Sequence, residues 1–155
     1  EYGGKLIFIR HAYAPGSGDP NNFNLNDCST QRNLSNKGKK QAQYIGEFFK
    51  EYNIKIDKVL SSEWCRCKET AEIAFKDFST KSFLNSFYSS KYAKNKDRQV
   101  KELNNYIEKF KSKKNIVLIT HYVLISEVLN YAPSSGEIVV SDKNFNIIGS
   151  IKIDY

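Results

Sequence analysis

Lys5-Leu6-Ile7-Phe8-Ile9-Arg10-His11-Ala12 is the stretch on which the reading of the fold turns. Four consecutive apolar residues read as a fully buried strand, with a cation and an imidazole where that strand ends. A short apolar run fits a buried helix equally well. A second copy of the pattern, Asn115-Ile116-Val117-Leu118-Ile119-Thr120-His121, decides for strand. The chain has two histidines, and each directly follows a run of β-favouring apolar residues. Ligands of an open parallel sheet bind outside the carboxyl ends of its strands. If both runs are central and parallel, both imidazoles reach that edge together. Because His titrates near neutrality and serves as base, nucleophile or ligand, two placed this way favour a site over a structural role.

The 155 residues suit one domain, 1–155, with room for a substantial core. A hydrophobic content of 40% and scattered charge argue for a folded chain and against disorder. No apolar run approaches the roughly 20 residues that cross a bilayer, so no transmembrane segment is expected. The chain starts at Glu1 and contains no Met, which leads us to expect processing or trimming; a removed signal peptide is one route. The net charge of +7 suggests an anionic partner. Its lysines are spread over 37–40, 50–58, 91–101 and 109–114, on expected exposed helix faces, and this spread argues against nucleic acid.

Turn-forming residues from Ala14 to Asn22 read as a long loop over the first strand end, continuing to Leu34. Ser35 is the expected N-cap of a helix from Lys37 to about Tyr52, with Ala42, Ile45, Phe48 and Phe49 on its apolar face. A strand over 56–60 follows, then Ser62 as cap of a helix from Glu63 to about Phe75. Arg66 falls in that helix's first turn, where the positive end of the dipole disfavours a cation unless an anion is shared there. A third strand is expected over 79–84, a helix over 100–110, a strand over 116–120 and a short helix from Val123 to about Tyr131. The chain closes as a hairpin of 137–141 and 145–153. This alternation predicts a three-layer α/β/α sandwich with a mostly parallel central sheet.

Arg10, His11, Arg32, Arg66 and His121 converge on the carboxyl edge, unaccompanied by an acidic cluster of the kind that builds hydrolytic metal centres. Neither a metal nor another cofactor is expected. Arginine clusters suit bidentate recognition of phosphate or carboxylate. Two imidazoles within arginine walls suit phosphoryl transfer through a phosphohistidine. The three cysteines, Cys28, Cys65 and Cys67, allow one disulfide and one thiol. Their spacing lacks a zinc pattern. A bridge from Cys28 to Cys65 or Cys67 would imply an oxidising compartment, whereas three buried thiols would fit the cytosol.

These residues resemble the histidine phosphatase superfamily, also called phosphoglycerate-mutase-like. Arg10-His11-Ala12 is similar to its RHG signature, with Ala for Gly. Ser61-Ser62, Arg66 and Thr70-Ala71 resemble its second-arginine motif, and Thr120-His121 its second-histidine motif. Arg32-Asn33-Leu34-Ser35, then Gly38 and Gln41-Ala42, is similar to the segment after the loop. The resemblance implies that His11 is the phosphorylated nucleophile and that Arg10, Arg66 and His121 grip the phosphate. Arg32 is implied as a further contact, as in short bacterial phosphohistidine phosphatases, and Ser17 as a substrate-binding residue. It implies a phosphatase acting on a phosphorylated small molecule or phosphoprotein; a phosphomutase and a non-catalytic phospholigand-binding module are the alternatives.

Many members of that family carry a glutamate acid after the third strand, where this chain has Leu84-Asn85-Ser86-Phe87. Protonating a leaving group is worth roughly 10²–10⁴-fold. Its absence implies either an easy leaving group, such as imidazole or aryl oxide, or an acid from elsewhere, with Asp19, Asp27 and Glu137 as candidates. The Gly18–Arg32 segment and Trp64-Cys65-Arg66-Cys67 resemble an exported branch of the family, which implies a periplasmic or secreted protein; a cytoplasmic one is the alternative. A bridge between these segments would pin two phosphate-contacting loops together and contribute roughly 3–4 kcal/mol by loop closure.

Overall fold

The computed structural model describes residues 4–155. Its first strand, β1 (Leu6–Arg10), leads into the long loop, and Ser35 caps helix α1 (Asn36–Glu51) by accepting the Gly38 N–H at 3.1 Å. There follow β2 (Ile56–Ser61), α2 (Cys65–Phe75), β3 (Ser79–Thr80), α3 (Lys96–Lys109), β4 (Asn115–Thr120), α4 (Tyr122–Leu129), β5 (Ile138–Ser141) and β6 (Ile147–Ile151). The six strands form one sheet in the order β3-β2-β4-β1-β5-β6. The first four in sequence are mutually parallel and β5 runs antiparallel to both its neighbours.

Period-two alternation in β1 divides the interior between the two faces of the sheet. Leu6 and Phe8 pack with Leu103 and Ile107 of α3 and Leu124 and Ile125 of α4. Ile7 and Ile9 pack on the other face, with Ile45 and Phe49 of α1 and Ala71 and Ala74 of α2. Strand β4 is buried along its whole length, as a central strand covered on both faces must be. This is the expected three-layer arrangement.

Several element bounds differ from expectation. The third strand is two residues long, because it pairs only with Leu60 and Ser61, where β2 ends. The chain then turns through a 3₁₀ segment, Ser82–Leu84, that buries Phe83 and Leu84. Helix α2 starts two residues later than expected, after an extended Trp64, and Ser62 accepts the Trp64 N–H at 3.1 Å. Helix α3 starts four residues earlier, in a polar first turn that apolar periodicity could not reveal. Phe145 lies in the β5–β6 turn at positive φ, so β6 is shorter than the expected 145–153.

Candidate active site

Strands β1 and β4 pair in parallel with Arg10 opposite Thr120. The next residue of each strand is therefore a histidine at the same level of the sheet edge, and the two rings stand 5.6 Å apart, edge to face. Both are buried, at 2% and 3% exposure. The backbone after His11 is fixed by motif residues that make no chemistry themselves. Thr70 accepts the Ala12 N–H at 3.0 Å, and Gln41 accepts the Tyr13 N–H at 2.9 Å. Gly38 lies so close to this segment that an added Cβ would stand 2.0 Å from the Tyr13 carbonyl oxygen.

The His11 Nδ1–H donates to its neighbour's carbonyl, Ala12, at 2.8 Å. That bond fixes the tautomer and leaves the Nε2 lone pair facing the Arg66 Nε–H at 3.2 Å. His121 Nε2 lies 2.8 Å from the Ser62 hydroxyl, and its buried Nδ1 has no partner. Burial first, and Arg66 second, push both imidazoles well below their ordinary range, so both are neutral at pH 7. Arg10 donates to the Pro133 carbonyl at 2.9 Å and lies 5.3 Å over the Tyr122 ring, while its buried Nε has no partner. Arg10 and His121 line one cavity, and the unpaired Arg10 Nε–H beside it is a donor for an acceptor oxygen of a ligand.

The cavity has a volume of about 420 Å³ and is lined by Arg10, His11, Arg32, Arg66 and His121 together. Ser17 also lines it, from the exposed loop. Arg32 is tied to that loop, donating to the Gly18 carbonyl at 2.7 Å and to that of Ala14. Burial and then Arg66 lower its pKa to about 10. Among the described residues Asp19 is the one carboxylate lining the cavity, and all of its contacts are accepted N–H groups. Glu137 stands outside it: fully buried, it accepts the Ser134 N–H and the Tyr131 hydroxyl. That placement removes Glu137 as a proton donor to anything bound in the cavity. Asp27 is also outside, spent on capping the 3₁₀ turn Cys28–Thr30.

The structure joins Cys28 to Cys65, the residue before Arg66, and leaves Cys67 as a buried thiol whose pKa burial pushes up to about 12. Gln31 reinforces this junction by accepting the Cys65 N–H at 2.9 Å. Sequence reasoning missed Ser62 as a partner of His121, and it missed Asn85, whose Oδ1 accepts from Ser62 and from the Glu63 N–H. It also missed the aromatic wall of Phe23, Trp64, Tyr88, Tyr92 and Tyr122. Nothing in their spacing signals a shared cavity. Among the described residues no group of three or more His, Cys, Asp or Glu could hold a metal ion.

Comparison with known proteins bears on what such a cavity does. The model of the histidine phosphatase superfamily (branch 1) matches residues 6–84, just over half of the chain. The mitochondrial serine/threonine-protein phosphatase Pgam5 of Drosophila virilis is 34% identical over 68 residues, 44% of this chain and 21% of its own. Its counterpart in Drosophila melanogaster is 30% identical over 82 residues, 52% of this chain and 26% of its own. The chain thus spans about a quarter or less of the length of these relatives. Among solved structures, the protein histidine phosphatase SixA complexed with tungstate has a TM-score of 0.62 at 15% identity, covering 97% of this chain and 96% of its own. A phosphoglycerate mutase from Thermus thermophilus has a TM-score of 0.63 at 16% identity, covering 97% and 99%. At these identities the structural likeness speaks for the fold.

Proposed function

The chain belongs to the histidine phosphatase superfamily, and from that premise we propose that it is a metal-independent phosphatase working through a phosphohistidine at His11. The observation that carries this reading is the His11 tautomer: Nδ1–H is held by the Ala12 carbonyl, so the lone pair sits on Nε2, which faces the Arg66 Nε–H at the cavity and exchanges that contact for phosphorus. The substrate phosphoryl group lies among Arg10, Arg66 and His121, whose cationic and polar groups neutralise its oxygens. His11 Nε2 forms a bond to phosphorus as the bond to the leaving oxygen or nitrogen breaks. Water then attacks the phosphoimidazole, releasing phosphate and restoring His11. Fixed donors aimed at a transferring phosphoryl group are the main source of such catalysis.

Asp19 is used as an acceptor, so the site favours a leaving group that departs without much protonation. Aryl oxide and imidazole fit that description, and the aromatic wall offers a planar group its faces. The phosphatase names of the Pgam5 relatives and of SixA support a phosphorylated protein or small molecule as substrate. No helix among the described residues is long and apolar enough to cross a membrane. The Cys28–Cys65 bridge supports an oxidising compartment, periplasmic or secreted, for one domain spanning 1–155.

The test is turnover of p-nitrophenyl phosphate in EDTA by the wild type beside His11→Ala, with intact mass to trap a phosphoenzyme. The reading expects EDTA-resistant release of nitrophenol, an adduct of one phosphoryl group, and loss of both in the variant. Equal inertness of the two proteins, with no adduct, overturns it in favour of a phospholigand-binding module.

A further inference from the structure

Arg66 makes two kinds of contact from one planar group. Its Nη1 and Nη2 face Asp19, at 2.8 Å to Oδ1 and 3.4 Å to Oδ2. Nη1 also reaches the Arg32 carbonyl at 3.3 Å. Its Nε–H instead points at His11 Nε2, 3.2 Å away. A guanidinium has five N–H donors in a fixed fork. Asp19 takes the end of that fork, which leaves the side edge, Nε and Nη2, turned to the nucleophile and the cavity.

Asp19 is itself held from two further directions. The Arg32 backbone N–H donates to Oδ1 at 3.1 Å and the Trp64 indole N–H to Oδ2 at 3.1 Å. The loop that carries it turns back over the cavity through Gly16 and Gly18, both at positive φ where other residues are strained. Arg32 closes the loop by donating to the Gly18 carbonyl at 2.7 Å. With only 16% of its side chain exposed, the carboxylate is a fixed abutment for an arginine that is 3% exposed. It also offsets one of three clustered guanidinium charges, which would otherwise repel Arg66 from the two arginines beside it.

We propose that Asp19 is a positioning residue that clamps the end of the Arg66 guanidinium so that its side edge is presented to His11 and to the phosphoryl group. This rests on the phosphatase reading for its consequence in turnover, but the clamp itself acts on any bound tetrahedral oxyanion. A misplacement of about 1 Å at a reacting centre costs on the order of 10²-fold. Asp19→Asn keeps the shape and removes the charge, so it lowers kcat/KM by about 10–100-fold. The loss is the same for p-nitrophenyl phosphate and for phenyl phosphate, whose leaving group is the more basic.

The experiment is a double-mutant cycle of Asp19→Asn with Arg66→Lys, read in kcat/KM on both esters and in the tungstate dissociation constant by calorimetry. The proposal expects Asp19→Asn to weaken tungstate, and to cost little further once Arg66 is Lys, since a lysine offers no fork to clamp. Asp19→Glu, which keeps the charge but moves it by one methylene, is expected to lose less than Asp19→Asn. It takes the place of Asp19→Asn in the cycle if circular dichroism shows that variant unfolded. A larger loss on phenyl phosphate would make Asp19 the proton donor and overturn the proposal. So would additive losses in the cycle, or an Asp19→Asn protein that binds and turns over as the wild type does. If the wild type is inert while tungstate binding depends on Asp19, the clamp stands and the phosphatase reading falls.

Discussion

His11 has one ring nitrogen that donates to a backbone carbonyl and one whose lone pair faces Arg66, and that asymmetry carries most of the chemistry proposed for this chain. Burial and the neighbouring arginines favour its neutral form, so the nucleophile is available without a base. Protonation of His11 should therefore limit the free enzyme only below the ordinary imidazole pKa of 6.5. In a kcat/KM profile on p-nitrophenyl phosphate, the acid limb is expected to fall well below that value. A limb centred at or above 6.5 would show that the arginines do not act on His11 in this way. The two histidines, Arg10 and Arg66 were legible in the sequence because each sits at a strand end or helix start, whereas Arg32 lies in a loop and was pointed to by the family resemblance. The disposition of carboxylates was not: Glu137 and Asp19 look equivalent on paper, yet one is locked behind the cavity and the other is locked onto Arg66.

At the scale of elements, the site depends on α1 and α2 lying close together beneath the segment that follows β1. Gly46 of α1 makes that approach possible, because a Cβ there would stand 2.4 Å from the Ala74 carbonyl oxygen of α2. Glycine inside a helix costs roughly 0.5–1 kcal/mol relative to alanine, so Gly46→Ala gains on propensity. The backbone clash outweighs that gain, since overpacking costs typically about 1–3 kcal/mol. We expect a net loss of stability, seen as a Tm lower by about 2–4 °C per kcal/mol, and a stabilised variant would mean that the helices can separate freely. Helix periodicity predicted α1 well and α3 poorly, for one reason. Apolar stripes mark the part of a helix that packs, and the first turn of α3 is polar throughout, including Gln99, which is buried to donate to the Phe83 and Asn85 carbonyls.

For the whole molecule, two fully buried neutral histidines make folding sensitive to acid. In the unfolded chain each imidazole takes a proton near pH 6.5, whereas in the folded protein each resists it until well below. The unfolded state therefore binds more protons in that window, and stability falls as pH drops below about 6.5. Above it the contribution is fully present. Each histidine adds a slope of up to about 1.4 kcal/mol per pH unit. Urea midpoints measured from pH 7.5 to 5 should decline, with a shallower decline in His121→Gln. A flat profile would mean that the imidazoles titrate normally in the folded state.

The amino-acid sequence by itself determined the layers, the parallel core and the meeting of two histidines with three arginines, because alternation and strand ends are local patterns with one geometric outcome. Only the tertiary structure decided which cysteine pairs with Cys28, where β3 stops and what each carboxylate does. Those outcomes depend on distances between residues far apart in the chain: Asp19 reaches Arg66 across 47 positions, and Cys28 reaches Cys65 across 37. No local periodicity encodes such distances; they exist once the sheet has fixed where its loops begin and end.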